Sequence, residues 1–570
     1  GLEPLADLVK AQIVTDQALE TLVAPYLSEQ VPDLPSAISG ASDIVAEMIS
    51  ENALVRQLTR DKGLNYGKIT SEKLEDVQDD RQVYQLYYHF ELPIKYVRPH
   101  QVLAINRGEN EAILRVSIVI NEQDWRNAIQ TQFPVKRHSP FHEVLLAAIE
   151  DSSKRLLLPA IERDIRRMLT ETAEDHAIDV FAENLRSLLT QPPLAGHTIL
   201  AIDPGFRTGS KIAVVDTTGK LLETGTIYPH PPQNRKQEAY QIIHDLVKKH
   251  EVSLVVIGNG TASRETEVFI AELTKKNTSL NYLITSEAGA SVYSASKIAR
   301  KEFPDLDVSI RGAISIARRV QDPLAELVKI DPRSIGVGQY QHDLNQGKLS
   351  EALDRVVESV VNAVGVDVNT ASAALLTYVS GIGPSLAEKI VQYREEKGAF
   401  ISREALKDVT GLGPKSYEQA AGFLRIRDGR NPLDATAIHP ESYPVAEQLF
   451  QKMGLVVGAS IEERKAVVNQ FKDEVKIEKL AQSLGVGQLT LEDILREIAQ
   501  PGRDPREDLP KPILRKDILS LDDLSQGMQL TGTIRNVVDF GAFIDIGVKT
   551  DGLLHRSQIV KGTELKVGAI

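Results

Sequence analysis

The sequence contains no cysteine among its 570 residues. This absence excludes disulfide bonds, thiol nucleophiles, iron–sulfur clusters and cysteine-based zinc sites, so any metal ion would have to be held by oxygen ligands. Aromatic residues are also scarce, at 5% of the chain with a single Trp. No segment approaches the roughly 18 consecutive apolar residues of a membrane span, so no membrane partner is expected.

Positive charge is in deficit, because 66 Lys and Arg face 79 Asp and Glu for a net charge of −13. Averaged over the chain, this charge repels phosphate and argues against nucleic acid, although local patches can differ. Signature motifs of zinc proteases, P-loop NTPases and serine esterases do not occur, so those classes lack support. The apolar fraction of 42% is that of a globular protein, and the length predicts roughly four domains.

Hydrophobic periodicity and Pro- or Gly-rich breaks divide the chain into six segments. They predict a multidomain, mainly α protein with one α/β domain and a C-terminal β domain. The segments are a helical scaffold at 1–195 with a β-hairpin near 98–121, an α/β domain at 197–330, a connecting helical segment at 331–375, tandem helical hairpins at 376–430, a helical segment and linker at 431–516, and an incomplete β domain at 525–570.

The α/β domain begins with three β-rich runs, TILAID, KIAVVD and LLETGTIY, before helices and strands alternate. Three strands in a meander followed by alternating α and β elements predict a ribonuclease-H-like (RNase H-like) fold. A dinucleotide-binding fold would instead place a helix after the first strand. Asp203 ends the first strand, where nucleases of the RNase H-like fold hold the first carboxylate for two divalent ions.

The segments IDPGFRTG and TSEAGAS resemble the YqgF branch of the RuvC-like resolvases. This resemblance implies that Glu287 is a second acid of the site. Where related nucleases carry further carboxylates, the sequence has Gly258 and Asn259 after the fourth strand and Ser315 in the last helix. Asp322 lies about 10 Å further along that helix, too far to replace the missing acid.

Two acids hold a metal ion poorly. The first hypothesis is therefore that this domain has no catalytic activity and requires no cofactor. A nuclease or resolvase that uses Asp203 and Glu287 with Mg²⁺ or Mn²⁺ is the alternative. Arg318 and Arg319 are interpreted as phosphate contacts.

The most specific pattern is an internal repeat, in which SGIGPSLAEKI at 380–390 recurs 30 residues later as TGLGPKSYEQA. Gly381 and Gly383 correspond to Gly411 and Gly413. Each pair predicts a tight turn between two helices, and the free N–H groups that start the second helix suit one backbone phosphate. A dinucleotide loop would need a preceding strand and a third Gly. Helical hairpins without a ligand remain an alternative.

Residues 376–430 carry nine Lys and Arg against seven Asp and Glu, a local net charge of +2. Lys389, Lys415, Arg425 and Arg427 are the candidate cations of this segment. Together with the hairpins they predict a helix-hairpin-helix pair that contacts phosphates without reading sequence.

The run GTIRNVVDFGAFIDIGVKTDGLLH resembles the S1-type RNA-binding OB domain. This resemblance places Phe540, Phe543 and His555 on the strand face where bases stack. Stacking contributes roughly 1–3 kcal/mol per base with little dependence on sequence. For Phe543, burial in the barrel core is an equal alternative. About three of the five strands are present.

The order of these domains, with SEAGASVYSAS, RRVQDPLAELVKIDP, GVGQYQHD and VNAVGVDVNTAS, resembles the Tex family of bacterial transcription accessory proteins. The resemblance implies a cytoplasmic protein that binds RNA and/or DNA and acts with RNA polymerase or ribosome-associated transcription machinery. Relative to that family, we expect the N-terminal helical region and the end of the OB domain to be missing. A monomer is expected. A polymerase-docking scaffold with secondary nucleic-acid contacts is a further alternative.

Overall fold

The computed structural model describes residues 1–75, 77–80, 82–276, 280–336, 340–456, 458–509, 511–512, 514, 524–546, 551–560, 563, 565–567 and 569. Parts of the GVGQYQHD segment, of the predicted linker and of the S1-like run therefore lie outside the described residues. The chain divides into two compact units. One comprises Gly1–Ile178 and Tyr340–Asn345, the other Asp179–Gln339 and Gln346–Ile570. Among the described residues, no helix combines the length and apolarity that a bilayer crossing needs.

The first unit combines helices with a three-stranded antiparallel sheet of order β2-β1-β3. Six residues in π-helical geometry, Ser152–Leu157, join α7 to the long helix α8, whose last turns belong to the second unit. The elements are α1 Glu3–Ala11, α2 Leu19–Val23, α3 Leu34–Glu51, α4 Ala53–Tyr66, β1 Lys68–Lys73, β2 His89–Pro93, α5 Pro99–Asn110, β3 Leu114–Val119, α6 Glu122–Gln130, α7 His142–Asp151 and α8 Leu158–Leu189.

The predicted β-hairpin near 98–121 is wrong, because its first half is the helix α5. Pro99 suits the first helical position, and the Gln101 side chain accepts a hydrogen bond from the Arg98 N–H at 3.0 Å. The Arg-Gly-Glu-Asn sequence therefore closes a helix rather than a hairpin. Only β3 is a strand, and it pairs with β1, some 40 residues upstream.

The short segment Tyr340–Asn345 belongs to the first unit although it is far away in sequence. Asp343 lies 3.7 Å from Arg107, and that arginine also donates a hydrogen bond to Glu111. Burial raises the pKa of Tyr340 above its ordinary value. Residues 340–343 of GVGQYQHD therefore pack within the first unit.

The α/β domain of the second unit is built on a five-stranded sheet of order β6-β5-β4-β7-β8. Strand β4 pairs antiparallel with β5 and parallel with β7, which confirms the predicted RNase H-like fold. The elements are β4 Ile199–Asp203, β5 Ser210–Val215, β6 Leu221–Ile227, α9 Lys236–Lys249, β7 Leu254–Gly258, α10 Ser263–Lys276, β8 Asn281–Thr285, α11 Ala290–Ala295, α12 Lys297–Glu302, α13 Val308–Gln321 and α14 Pro323–Leu327.

Helices follow the α/β domain, and two further two-residue strands, β9 and β10, pair in parallel. The elements are α15 Gln346–Val364, β9 Val366–Asp367, α16 Ala373–Leu376, α17 Pro384–Lys397, α18 Pro414–Ala421, β10 Leu424–Arg425, α19 Tyr443–Met453, α20 Ile461–Glu474, α21 Ile477–Leu484 and α22 Gln488–Ala499. The helices α19 to α22 enclose their own apolar core.

A buried arginine joins the hairpin region to these last helices. Arg403 is 1% exposed and donates hydrogen bonds to the carbonyls of Leu424, Ile438 and Thr436 and to the Tyr443 hydroxyl. Buried carbonyls need hydrogen-bond donors, and the guanidinium supplies several donors at once. Arg403 therefore satisfies one carbonyl of the short strand β10 and two carbonyls of the segment that follows it.

The C-terminal strands β11 Thr533–Val538, β12 Gly541–Asp545 and β13 Gly552–His555 form an antiparallel sheet, as the OB pattern predicts. Before them, Arg506 binds back to the α/β domain. It donates to the Asp322 carboxylate at 2.7 Å, while Asp322 also accepts from the Ala325 N–H at the start of α14. Asp322 is thus a helix cap and an ion-pair partner, and it takes no part in the acid site.

Candidate nucleic-acid interface

The two predicted hairpins have the same backbone geometry. Gly381 and Gly411 adopt φ values of +83° and +100°, which L-residues with a side chain rarely adopt. The residue that follows each glycine closes a tight turn through its backbone. The Ile382 N–H donates to the Val379 carbonyl and the Leu412 N–H donates to the Val409 carbonyl, both at 3.0 Å. These two glycines are therefore required by the turns themselves.

Gly383 and Gly413 need another explanation, because their φ values of −86° and −73° suit any residue. Each is the N-cap of a helix that begins with a proline, α17 or α18. A Cβ atom at either position would meet nothing within 4 Å. The absence of a side chain thus leaves open space directly in front of two helix N-termini.

The candidate cations divide into exposed and buried ones. Lys389 and Lys415 are exposed, and the Lys389 Nζ lies 3.3 Å from the position that a Cβ on Gly411 would occupy. The Arg427 side chain is 68% exposed. Their contact with phosphate stays a prediction.

The prediction that Arg425 contacts phosphate is wrong, because this residue is only 7% exposed and cannot reach a backbone phosphate. It lies in β10, which pairs with β9, and a Cβ on Gly365 would stand 2.3 Å from its Nε. Burial lowers the pKa of Arg425. Its side chain is buried next to Gly365, within the fold that carries the hairpins.

A third Gly-x-Gly turn lies between α21 and α22. Gly485 adopts φ +69°, Val486 N–H turns back to Ala481, and Gly487 caps α22. No proline follows Gly487, so this turn lacks the Gly-x-Gly-Pro motif of the other two. The signal was nevertheless in the sequence, as a Gly-x-Gly between two helical patterns.

The predicted stacking residues gather at one end of the C-terminal sheet. Gly541 pairs with His555, and Phe543 pairs with Leu553, so Phe543 and the exposed His555 share one face of the sheet. Phe540 lies in the turn before β12, and its ring centroid is 6.2 Å from that of Phe543. Both phenylalanines are half-buried. Base stacking on this cluster stays a prediction.

The candidate acids Asp203 and Glu287 lie together at the ends of β4 and β8. Burial, and secondarily the charge of Glu287, raises the pKa of Asp203 to about 6. Burial also raises the pKa of Glu287. Glycines surround the pair: a Cβ on Gly312 would lie 3.0 Å from Asp203, and a Cβ on Gly260 would collide with Glu287. Within the described part of the chain, no group of three metal-ligating side chains occurs.

Arg319 supplies the positive charge next to these acids. It is 5% exposed, and its Nη1 donates to the carbonyls of Ser286 and Ala288 at 2.6 and 3.0 Å. Arg318 donates to the Gly219 carbonyl and pairs with Glu302. Both arginines are therefore held by protein groups, which contradicts their interpretation as phosphate contacts.

The raised pKa of Asp203 makes a prediction about stability. The folded protein binds the Asp203 proton more tightly than the unfolded chain does, so stability is lost as pH rises from about 4 to about 6. Asp203→Asn cannot ionise and should therefore raise the free energy of unfolding at pH 7 by about 1–3 kcal/mol, with little gain below pH 4. Thermal unfolding at a series of pH values measures this gain. If Asp203→Asn were less stable than the wild type at pH 7, and Mg²⁺ or Mn²⁺ stabilised the wild type, the prediction would be contradicted and a metal site favoured.

Comparison with protein families adds a match for each of these regions. The model described as "Tex central region-like" matches residues 15–181, and "Tex protein YqgF-like domain" matches 197–321. Helix-hairpin-helix models match 361–425 and 431–506, and the S1 RNA binding domain matches 523–569. The second of these helix-hairpin-helix matches covers the third Gly-x-Gly turn.

Similar proteins extend over nearly the whole chain. Protein YdcI of Bacillus subtilis is 50% identical over 98% of this chain and 78% of its own length. Transcriptional accessory protein Tex of Neisseria gonorrhoeae is 44% identical over 98% and 73%. The chain belongs to the Tex family. Protein YhgF of Escherichia coli, at 43% identity over 98% and 73%, is another relative. The helix-hairpin-helix and S1 domains of this Tex-family chain indicate nucleic-acid binding.

Proposed function

We propose that this Tex-family protein is a non-catalytic accessory of the transcription machinery that grips nucleic acid largely without regard to sequence. The observation that carries the proposal is the open space at Gly383 and Gly413 in front of α17 and α18. A phosphate placed there meets free N–H groups and the positive end of a helix dipole. Two such sites, 30 residues apart in sequence, would hold neighbouring phosphates of one strand.

The S1 sheet supplies the second contact. Phe540, Phe543 and His555 offer rings on which bases of single-stranded RNA stack, and stacking tolerates any base. Phosphate contacts at helix N-termini and base stacking together explain how an acidic chain binds nucleic acid, because both are made by local groups in contact with the strand. The binding is modest and sensitive to salt, since −13 charges oppose it.

The link to transcription rests on the relative that is named a transcriptional accessory protein. We infer that this chain acts with RNA polymerase or ribosome-associated machinery in the cytoplasm, as a monomer. No cofactor enters the proposal, because Arg319 already provides a cation beside Asp203 and Glu287.

Binding across a salt series tests the proposal. The full chain is titrated with single-stranded RNA, single-stranded DNA and duplex, at salt concentrations from about 50 to about 200 mM. We expect the logarithm of the association constant to fall linearly with the logarithm of salt, with a slope near −0.7 per phosphate for single strands. Binding that is unchanged by salt would refute the phosphate grip.

The nuclease alternative keeps one favourable observation, the raised pKa of Asp203 beside a second acid. Incubation of the protein with Mg²⁺ or Mn²⁺ and labelled junction, duplex and single-stranded substrates distinguishes the two functions. We expect all substrates to remain intact. Cleavage by the wild type that disappears in Asp203→Ala would establish the alternative.

A further inference from the structure

The turn between β7 and α10 contains the only Asn-Gly pair of the sequence, Asn259 and Gly260. The pair lies at the same end of the sheet as the acids Asp203 and Glu287, which follow the parallel strands β4 and β8. An asparagine that precedes glycine can lose its side-chain amide, because glycine has no Cβ and lets the next backbone nitrogen approach the asparagine Cγ. Asn259 is exposed, so water reaches this turn.

The backbone that follows β8 holds the Asn259 side chain. The Glu287 N–H donates a hydrogen bond to Oδ1 of Asn259 at 3.0 Å. The backbone N–H of Asn259 donates to the Thr285 carbonyl, also at 3.0 Å. When a nucleophile attacks Cγ of an amide, negative charge develops on the amide oxygen, and a backbone N–H already aimed at that oxygen stabilises the charge. The Glu287 N–H is such a donor for Asn259.

The carboxylate of the same residue, Glu287, lies against the backbone of Gly260. A Cβ at Gly260 would collide with this carboxylate, and a Cβ at Gly258 would stand 2.7 Å from its Oε2. Burial raises the pKa of Glu287, and the nearby Gly260 N–H opposes that rise. Oε2 is buried and has no hydrogen-bond partner among the described residues. A carboxylate in this position can accept the proton of the Gly260 N–H.

We propose that Asn259 is a site of spontaneous deamidation that the fold promotes, with Glu287 accepting the proton of the Gly260 N–H. The Gly260 nitrogen forms a bond to Cγ of Asn259, and the bond between Cγ and Nδ2 breaks. The proton held by Glu287 leaves with the amide nitrogen as ammonia. Water then opens the cyclic succinimide to aspartate or isoaspartate, so the reaction consumes water, releases ammonia and needs no other reactant.

The product adds a third acid to this end of the sheet, where the sequence supplies Asp203 and Glu287. The new carboxylate is at the residue whose side-chain oxygen now accepts the Glu287 N–H. Deamidation therefore increases the negative charge beside the two acids, and the modified form accumulates with the age of the folded chain. This chemistry is independent of the proposed nucleic-acid contacts, which lie on other domains.

Peptide mass spectrometry of the purified full chain at neutral pH measures the conversion, because aspartate and isoaspartate are heavier than asparagine. The wild type is followed in parallel in its folded state and unfolded in guanidinium chloride. We expect the folded chain to convert at least about tenfold faster, since a positioned general base contributes that much or more. Faster conversion of the unfolded chain would show that the fold protects Asn259, and this result overturns the proposal.

Glu287→Gln keeps the backbone donor and the size of the side chain but cannot accept the proton, so it should slow conversion of the folded chain at least about tenfold. Glu223→Gln is the matched control, because Glu223 lies on the opposite edge strand β6, where it pairs with Lys249 and His250. It should convert as the wild type does. Equal rates in Glu287→Gln and the wild type, or no conversion of Asn259 in the folded chain, overturn the proposal. If Glu287→Gln folds poorly, the comparison of folded and unfolded wild type still decides.

Discussion

Replacing Arg403 with methionine should lower the free energy of unfolding of the hairpin region by about 3–5 kcal/mol. The guanidinium donates to three buried carbonyls and to the Tyr443 hydroxyl, and methionine can donate to none of them. Each buried carbonyl left without a donor costs about 1–3 kcal/mol, although local relaxation makes these costs less than additive. The hydrophobic volume of methionine compensates only in part.

Denaturant unfolding combined with amide hydrogen exchange measures the effect, because exchange assigns it to residues 403–443. Arg355→Met is the matched control, since Arg355 is exposed on α15 and its ion pair among the described residues is with Glu351, one turn away. We expect that control to change stability by less than about 0.5 kcal/mol. Equal stability of the two variants would show that the carbonyls around Arg403 find water or other donors.

Substituting aspartate at both Gly383 and Gly413 should weaken nucleic-acid binding about a hundredfold, or roughly tenfold for each hairpin. A carboxylate at each N-cap fills the open space and repels the phosphate that would occupy it. The fold is expected to tolerate both changes, because the φ values are negative, no neighbour stands within 4 Å of the new Cβ, and aspartate is a favourable N-cap. The salt slope should also fall by about two phosphate contacts.

Gly458→Asp adds the same charge at a glycine with equally open surroundings outside the three hairpins, and it should bind nucleic acid almost as the wild type does. Association with RNA polymerase is measured in parallel to test the scaffold alternative. That alternative predicts that the double variant still associates with the polymerase. Unaltered nucleic-acid affinity in the double variant would refute the phosphate assignment. Gly487→Asp, tested in the same series, asks whether the third turn contributes as well.

Local patterns predicted the elements whose signals lie close together in the sequence. Three strands in succession after residue 197 predicted the RNase H-like fold, and the first two are apolar strands buried on both faces, which read as continuous hydrophobic runs. The hairpins were predicted for the same reason, since each turn needs a glycine with positive φ at a fixed place. The acid positions Asp203 and Glu287 came from a strand end and a family resemblance.

What the sequence could not show depends on contacts between distant residues. The alternation around residues 98–121 resembled a hairpin, but β3 finds its partner in β1 and leaves α5 free to form a helix. Arg425 and Arg319 resemble surface cations in the sequence, and only the packing shows that they are buried. Gly485 and Gly487 were likewise not predicted as a hairpin turn, because no proline follows them.

The ion pair between Asp322 and Arg506 joins residues that are 184 positions apart. At a synthesis rate of about 5–20 residues per second, the ribosome needs about 10 to 40 s to reach Arg506 after it has made Asp322. During that interval the α/β domain can fold, and the Asp322 carboxylate has only the N–H groups of α14 and solvent as partners. The cap on α14 uses no residue beyond Ala325, so it can form before Arg506 is made, and the ion pair adds a second contact to the same carboxylate afterwards.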